Sequence, residues 1–262
     1  MKILGMIPAR LGSTRVKNKN LRYLGEKPLV SYILDAAANS KMLDEVYLNS
    51  EGIIFEKLAD SHGVNFYHRP NELASNEATN DDFVLDFIQK TECDILIQLL
   101  PTSPFITSTQ IDNFIHKMVS DNLDTLVSVY DVQIESIFKQ SPINFDQKEQ
   151  TPPSQLLEPV QAYACGLMGW KCENFRENMK KFGAAYHGGD GDIGFFKLSG
   201  DSTVDIDREE DFILAEAVLL SKSNHESKPR YFEDSSEMII SDANVKRILA
   251  GDGVAINNQD DS

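Results

Sequence analysis

The chain has 262 residues, 41% of them hydrophobic, enough to bury a full core in one large domain, so wholesale disorder and fibrous classes are excluded. Its net charge of −16 repels polyanionic chains and leaves no basic stripe for a nucleic acid polymer. No apolar run approaches the roughly 20 residues a bilayer span needs, and MKILGMIPARLG lacks the long apolar stretch of a cleaved leader, so a cytoplasmic protein without membrane association is expected.

Lys2–Pro8 reads as a short buried strand, and the polar segment Ala9–Asn20 as the loop at its carboxyl end. Pro28–Asn39 opens with proline and spaces its apolar residues by three and four, which predicts a helix. Glu45–Asn49 then reads as strand, Ile53–His62 as a helix stopped by Gly63, and Val64–Tyr67 as strand. Asn80–Thr91 resumes helical spacing, Asp94–Leu100 is an almost continuously apolar strand, Ser108–Ser120 is helix and Thr125–Tyr130 strand. This alternation predicts an α/β fold whose mostly parallel sheet is flanked by helices on both faces, with ligands bound beyond the strands' carboxyl ends.

From 131 to 191 the pattern weakens around Pro142, Pro152, Pro153 and Pro159, which predicts an inserted lobe of the kind that serves as dimer contact or lid. Thr203–Asp207 reads as a further strand and Glu209–Leu220 as a strongly amphipathic helix. The main domain is expected over residues 1–222, followed by an extension over 223–262 that is partly mobile and holds one short helix at Asn244–Leu249. Cys93, Cys165 and Cys172 form no CxxC pair and read as small buried hydrophobes.

Charge singles out the first thirty residues. They hold seven Lys or Arg against Glu26 alone, a surplus of six that leaves −22 on the rest of the chain. A cation-rich loop at a strand end suits a small polyanion, although a merely solvated loop has the same composition. Within Ile7–Asn20, Gly12 and Ser13 offer open backbone, and Arg10, Arg15 and Lys19 offer charge. The segment matches neither GxxxxGK[ST] nor GxGxxG. Asp205 and Asp207 lie two apart on the expected strand, so both carboxylates share a face and can hold a hard cation such as Mg²⁺; the alternative is that they cap the following helix. The run His187–Asp192 reads as a turn rather than a metal site.

Five segments in order carry a resemblance: IPAR followed by Ser13, Arg15 and Lys19-Asn20; Arg69-Pro70 with Glu72-Leu73-Ala74; Asn80–Asp86; Pro101-Thr102-Ser103-Pro104; and Asp205-Ile206-Asp207 leading to Asp211-Phe212. Over roughly residues 3–220 the chain resembles the cytidylyltransferases that make CMP-activated 3-deoxy-2-ulosonic acids, the acylneuraminate and CMP-Kdo synthetases. The resemblance implies a Rossmann-like fold of the nucleotide-diphospho-sugar transferase type. It also implies CTP and an acidic sugar as substrates, Mg²⁺ as cofactor, and a homodimer through the middle lobe.

The resemblance further implies residue roles. Arg10, Arg15 and Lys19 act on the phosphates, with Ala9, Gly12, Ser13, Asn20, Arg69 and Asn80 around the nucleotide, Thr102 and Ser103 at the sugar acid, and Asp205 and Asp207 at the metal. Other readings stay open: Arg69 as a turn brace, Asn80 as a helix cap, and Pro101–Pro104 as a rigid turn. Two departures leave the sugar unnamed. The family's glutamine before its PTSP-like segment is Leu100 here, with Gln98 two residues earlier, and the opening loop mixes acylneuraminate-like Gly12 and Lys19-Asn20 with Kdo-like Ser13-Thr14-Arg15. A same-fold enzyme for another sugar, such as Kdo or a sugar phosphate, and a non-catalytic sugar-nucleotide binding protein are the alternatives.

Overall fold

Alternating apolar residues on short strands decide the layering. In the computed structural model, which describes residues 1–13 and 15–223, Met1–Ser221 form one compact unit. Its strands are β1 (Ile3–Pro8), β2 (Tyr23–Leu24), β3 (Lys27–Pro28), β4 (Glu45–Ser50), β5 (Asn65–His68), β6 (Ile95–Leu99), β7 (Thr125–Val132), β8 (Ile137–Phe138), β9 (Ser141–Pro142), β10 (Val160–Lys171) and β11 (Ile193–Lys197). The helices are α1 (Leu29–Ala38), α2 (Ile54–His62), α3 (Asn80–Lys90), α4 (Ser108–Ser120), α5 (Cys172–Phe182) and α6 (Glu209–Ser223). The extension expected from 223 onward, with its helix at Asn244–Leu249, lies outside the described residues but for Ser223.

Seven strands form the main sheet in the order β11-β7-β10-β6-β1-β4-β5, all parallel to their neighbours except β10, which runs antiparallel to both β6 and β7. On one face Ile3 and Ile7 of β1 and Ile95, Ile97 and Leu99 of β6 pack with α1, α2 and α4. On the other, Leu4, Met6 and Leu96 pack with α3 and α5. Every strand of β1 and β6 thus buries both faces, which is why these segments read as near-continuous apolar runs. Gly63 stops α2 in the left-handed region (φ 66°), where a side chain would be strained.

The sheet runs through the stretch 131–191 that reads as an inserted lobe. β10 pairs on both edges at the centre of the sheet and α5 packs on its face, so only about residues 133–159, with the β8–β9 hairpin, stand apart from the layers. The prolines that break the pattern cluster in that shorter piece.

Two further expectations are corrected. Thr203–Asp207 pairs with no strand: a 3-10 turn at Gly200–Thr203 leads into an extended loop whose Ile206 N–H donates to the Thr102 carbonyl. Buried Ile206 anchors that loop in a small cluster with Val16, Leu24, Leu29, Phe212 and Ala215 rather than on a sheet edge. Nor does α6 segregate its apolar residues, because Phe212 and Ala215 are buried while Ile213, Leu214 and Leu220 are exposed. Consecutive apolar residues circle the helix instead of lining one face.

Among the described residues no helix is long and apolar enough to cross a membrane. Cys93 and Cys172 are buried as expected, whereas Cys165 is half-buried.

Candidate functional site

The carboxyl ends of β1 and β6 open into a cleft of about 390 Å³. The Val16–Phe212 cluster packs the opening loop against the 204–207 loop, so cations from one segment meet carboxylates from the other across some 190 residues of sequence. Asp207 accepts from both Arg15 nitrogens (3.0 and 3.2 Å) and from Lys19 Nζ (3.1 Å). Lys19 also donates to the Ile206 carbonyl at 2.5 Å, and its side chain is only 10% exposed. A lysine so enclosed, ion-paired to a half-exposed carboxylate, is positioned to trade that partner for a phosphate oxygen.

Asp205 has the opposite problem. Its Oδ1 is buried with no hydrogen-bond partner, and burial pushes its carboxyl above the ordinary range, aided by the charge of Asp207 and opposed by a hydrogen bond from Thr102. Lys19 offsets that penalty only in part, so an ionised carboxylate held in this way still has room for a closer cation. The hard oxygen donors of Asp205 and Asp207 fit a hard divalent cation. No group of three or more His, Cys, Asp or Glu gathers as a metal site among the described residues, so two carboxylates would share such an ion with ligand oxygens and water. Because both aspartates lie on a loop, their common orientation comes from the anchoring of Ile206 rather than from strand pleating.

Ten of the residues singled out from sequence line the cleft: Arg10, Ser13, Arg15, Lys19, Asn20, Arg69, Asn80, Thr102, Asp205 and Asp207. Arg10 is tethered by its guanidinium to the Ser75 carbonyl and Asn76 Oδ1. Asn20 is buried, donates to the Arg10 carbonyl and keeps Oδ1 unpartnered.

Ala9, Gly12 and Ser103 do not line it. Ala9 is packed in the core, with its N–H on the Asn49 carbonyl. Gly12 is exposed, with no other part of the protein within 4 Å of where a Cβ would stand. Ser103 is buried beneath Gly166, and its Oγ has no partner.

The two open readings at Arg69 and Asn80 separate. Arg69 is buried and spends its donors on Asn49 Oδ1, the Asn49 carbonyl (both 2.7 Å) and the Leu73 carbonyl, with its plane over Phe83. Burial pulls its guanidinium down to about 10, still charged at neutral pH. It braces the turn while presenting charge to the cleft. Asn80 is not the cap of α3, because Thr79 fills that position in a capping box with Asp82. Its Oδ1 instead faces Gln98 Nε2 at 3.4 Å. Gln98 itself is fully buried below the cleft floor, and Leu100 rather than Gln98 meets the cleft.

Phe83, from the Asn80–Asp86 segment, also lines the cleft, as do Cys165 and Tyr186, which carry no sequence signal. Cys165 sits in the left-handed region (φ 57°), where β10 breaks register between Tyr163 and Met168. Bulges of this kind re-aim side chains, and nothing in the local sequence announces one.

The family model described as Cytidylyltransferase matches residues 4–153, more than half of the chain and the segment that supplies the cations, Arg69, Asn80 and Thr102. The chain belongs to the cytidylyltransferase family. It is 38% identical over 111 residues to an N-acylneuraminate cytidylyltransferase of Escherichia coli, an alignment covering 42% of this chain and 26% of that protein. With a 3-deoxy-manno-octulosonate cytidylyltransferase of Bdellovibrio bacteriovorus it shares 29% identity over 138 residues, 52% of this chain and 54% of that one. The chain thus spans about a quarter to a half of the length of these relatives.

In fold it is similar to a solved CMP:2-keto-3-deoxy-manno-octonic acid synthetase complexed with CTP, with a TM-score of 0.66 at 16% identity, covering 85% of this chain and all of that one. That likeness bears out the Rossmann-like, nucleotide-diphospho-sugar transferase type of architecture. In this chain the cation-rich loop and the aspartate loop both line the cleft and meet at Asp207.

Proposed function

We propose that the chain transfers CMP from CTP to the anomeric hydroxyl of a 3-deoxy-2-ulosonic acid, a nonulosonate of the sialic acid type, and releases pyrophosphate. The observation that carries this reading is the pairing of Asp205, whose buried Oδ1 has no partner, with Asp207 clamped by Arg15 and Lys19. A nucleoside triphosphate with its metal ion supplies what each half lacks: negative charge for the cations and a cation for the carboxylates.

Arg10, Ser13, Arg15 and Lys19 would hold the β- and γ-phosphates and stabilise the departing pyrophosphate. Asn20, Arg69 and Asn80 would flank the nucleoside. Asp205 and Asp207 would hold Mg²⁺, which when bound neutralises phosphate charge and lowers the hydroxyl pKa of the acceptor. Thr102, donating to Asp205, keeps that carboxylate in place. The acceptor hydroxyl gives up its proton to solvent and its oxygen bonds to the α-phosphorus as the bond to the β-phosphate breaks and pyrophosphate leaves, so positioning and electrostatics do most of the work.

Leu100 favours an acceptor with an apolar substituent over a fully hydroxylated eight-carbon acid, since an apolar wall strands hydroxyls without partners. The exposed apolar residues Ile137, Phe138, Ile143 and Leu156 support a homodimer through residues 133–159, to be measured by light scattering. CTP as substrate supports a cytoplasmic location. Pyrophosphate release should require CTP and an ulosonic acid, and should be fastest with acylated nonulosonates. Activity with a sugar 1-phosphate alone would sink the reading, and nucleotide binding without turnover would favour the non-catalytic alternative.

A further inference from the structure

Away from the cleft, the amino end of the sheet brings two cysteines together. β6 and β10 run antiparallel with Ile95 opposite Lys171, and the Cys172 N–H donates to the Asp94 carbonyl at 2.8 Å, one step beyond that pair. The Asp94 N–H in turn donates to the Lys2 carbonyl at 2.9 Å, which ties the same corner to β1. Cys93 and Cys172 lie 79 residues apart in sequence, yet they meet where β6 and α5 begin, with their Sγ atoms in contact at 2.7 Å. Two thiols on backbones pinned this closely can be bridged with little movement.

The two are not equivalent. Cys172 is 1% exposed, whereas Cys93 is 8% exposed and borders two surface hollows that Cys172 does not reach. Arg176 lines both hollows, its guanidinium held on the Ile88 carbonyl at 2.6 Å. A hydrogen bond from the Cys172 thiol holds the Cys93 thiol below its ordinary value; burial opposes this, while Thr91 and the charge of Arg176 support it. A thiol with thiolate character, next to a cation and within reach of solvent, is the one an oxidant attacks, and a thiol packed against it is placed to resolve the product. Cys165 stands elsewhere, on the β10 bulge at the cleft, where burial pushes its thiol up.

We propose that Cys93 and Cys172 form an oxidation site, which a peroxide closes into an intramolecular disulfide tying the start of β6 to the start of α5. In the first step the Cys93 sulfur takes an oxygen from hydrogen peroxide, giving a sulfenic acid and water. In the second the Cys172 sulfur attacks the sulfenic sulfur. The S–S bond forms as the S–O bond breaks, and the hydroxyl leaves with the Cys172 proton as a second water. Each sulfur gives up one electron, and together they reduce the peroxide.

The test treats the reduced full chain with hydrogen peroxide and counts thiols after unfolding, which requires no variant to fold. Of the three thiols only that of Cys165 should remain, with the mass lower by two hydrogens and a peptide map joining Cys93 to Cys172 until a dithiol reductant is added. The thermal midpoint of the oxidised chain should rise on the order of 5 °C and return on reduction, because the bridge spans 79 residues of sequence. Cys172→Ser lacks the resolving thiol, so its Cys93 should proceed to a sulfinic acid, heavier by two oxygens. Cys93→Ser should keep Cys172 reduced at the same dose. Three surviving thiols, a bridge to Cys165, or a sulfinic acid at Cys93 of the wild-type chain overturns the proposal. Oxidation of Cys172 in Cys93→Ser as fast as the wild-type pair closes overturns it as well, since Cys93 would then not be the point of attack.

Discussion

The two ends of one sheet treat their polar groups in opposite ways. At the amino ends of β1, β4 and β6 the groups close on each other: Lys2 N–H on Asp94, Ile3 N–H on Asp44, Lys2 Nζ and the Tyr47 hydroxyl on Glu45, all within 2.7 Å. At the carboxyl ends Asn20 Oδ1, Gln98 Oε1, Ser103 Oγ and Asp205 Oδ1 are buried without partners, and Thr125 Oγ1, at the start of β7, is the one exception to the division among the described residues. Each orphan costs about 1–3 kcal/mol of desolvation. Of these orphans Asn20 and Asp205 line the cleft, where a ligand can complete them, while the amino end is a finished surface.

Substitutions at the carboxyl end should therefore cost turnover and spare stability. Asp207→Asn removes a carboxylate that faces two cations and the proposed metal, and should lower kcat by a factor on the order of 10³ with the thermal midpoint near wild type. Removal of divalent cations with a chelator should likewise stop pyrophosphate release, and added Mg²⁺ should restore it. Lys19→Met should cost on the order of 10² in kcat, since Arg15 still serves the phosphates. A wild-type rate in either variant would break the division between the two ends.

Asp205→Asn sharpens the same comparison through its sign. A carboxyl whose pKa is raised in the fold has its ionised form penalised, so this aspartate opposes stability in full above its raised folded pKa, and the penalty fades as pH falls from there to its unfolded value. The amide should thus melt on the order of 2 °C above wild type at pH 7 while losing turnover, and the gain should vanish on acidification. A lower midpoint at pH 7 would mean that Asp205 is a structural cap after all.

How far the sequence carries follows from the same contrast. β1, α1, β6 and α4 are legible because each buries a periodic apolar face, and the cation loop because charge is concentrated there. β10 is not, since one strand combines a beginning that alternates half-buried and exposed, a bulge at Cys165 and a buried end. The strand expected at Thr203–Asp207 fails because alternation also suits an extended loop pinned by a single residue, Ile206. In the cleft, Arg15, Lys19 and Asp207 could be named because their chemistry is local to their motifs. Tyr186 could not, because it is aimed by Asp81 and Trp170, which lie about 105 and 16 residues away in the chain.

The smallest effect belongs to the amino end. Glu45 accepts from Lys2 and Tyr47, and these hydrogen bonds hold its carboxyl below its ordinary value of 4.5. A depressed carboxylate stabilises the fold above its unfolded pKa, and that contribution is lost as pH falls through the folded value. Glu45→Gln should then melt slightly below wild type at pH 7, and the two midpoints should converge as the solution is taken well below 4.5. The gap is small because the pair is about one-third exposed and solvent screens it. Turnover should be untouched, because Glu45 stands at the opposite end of β4 from the cleft. A loss of turnover matching that of Lys19→Met would show that the finished end of the sheet also governs the chemistry, and the division between the two ends would fall.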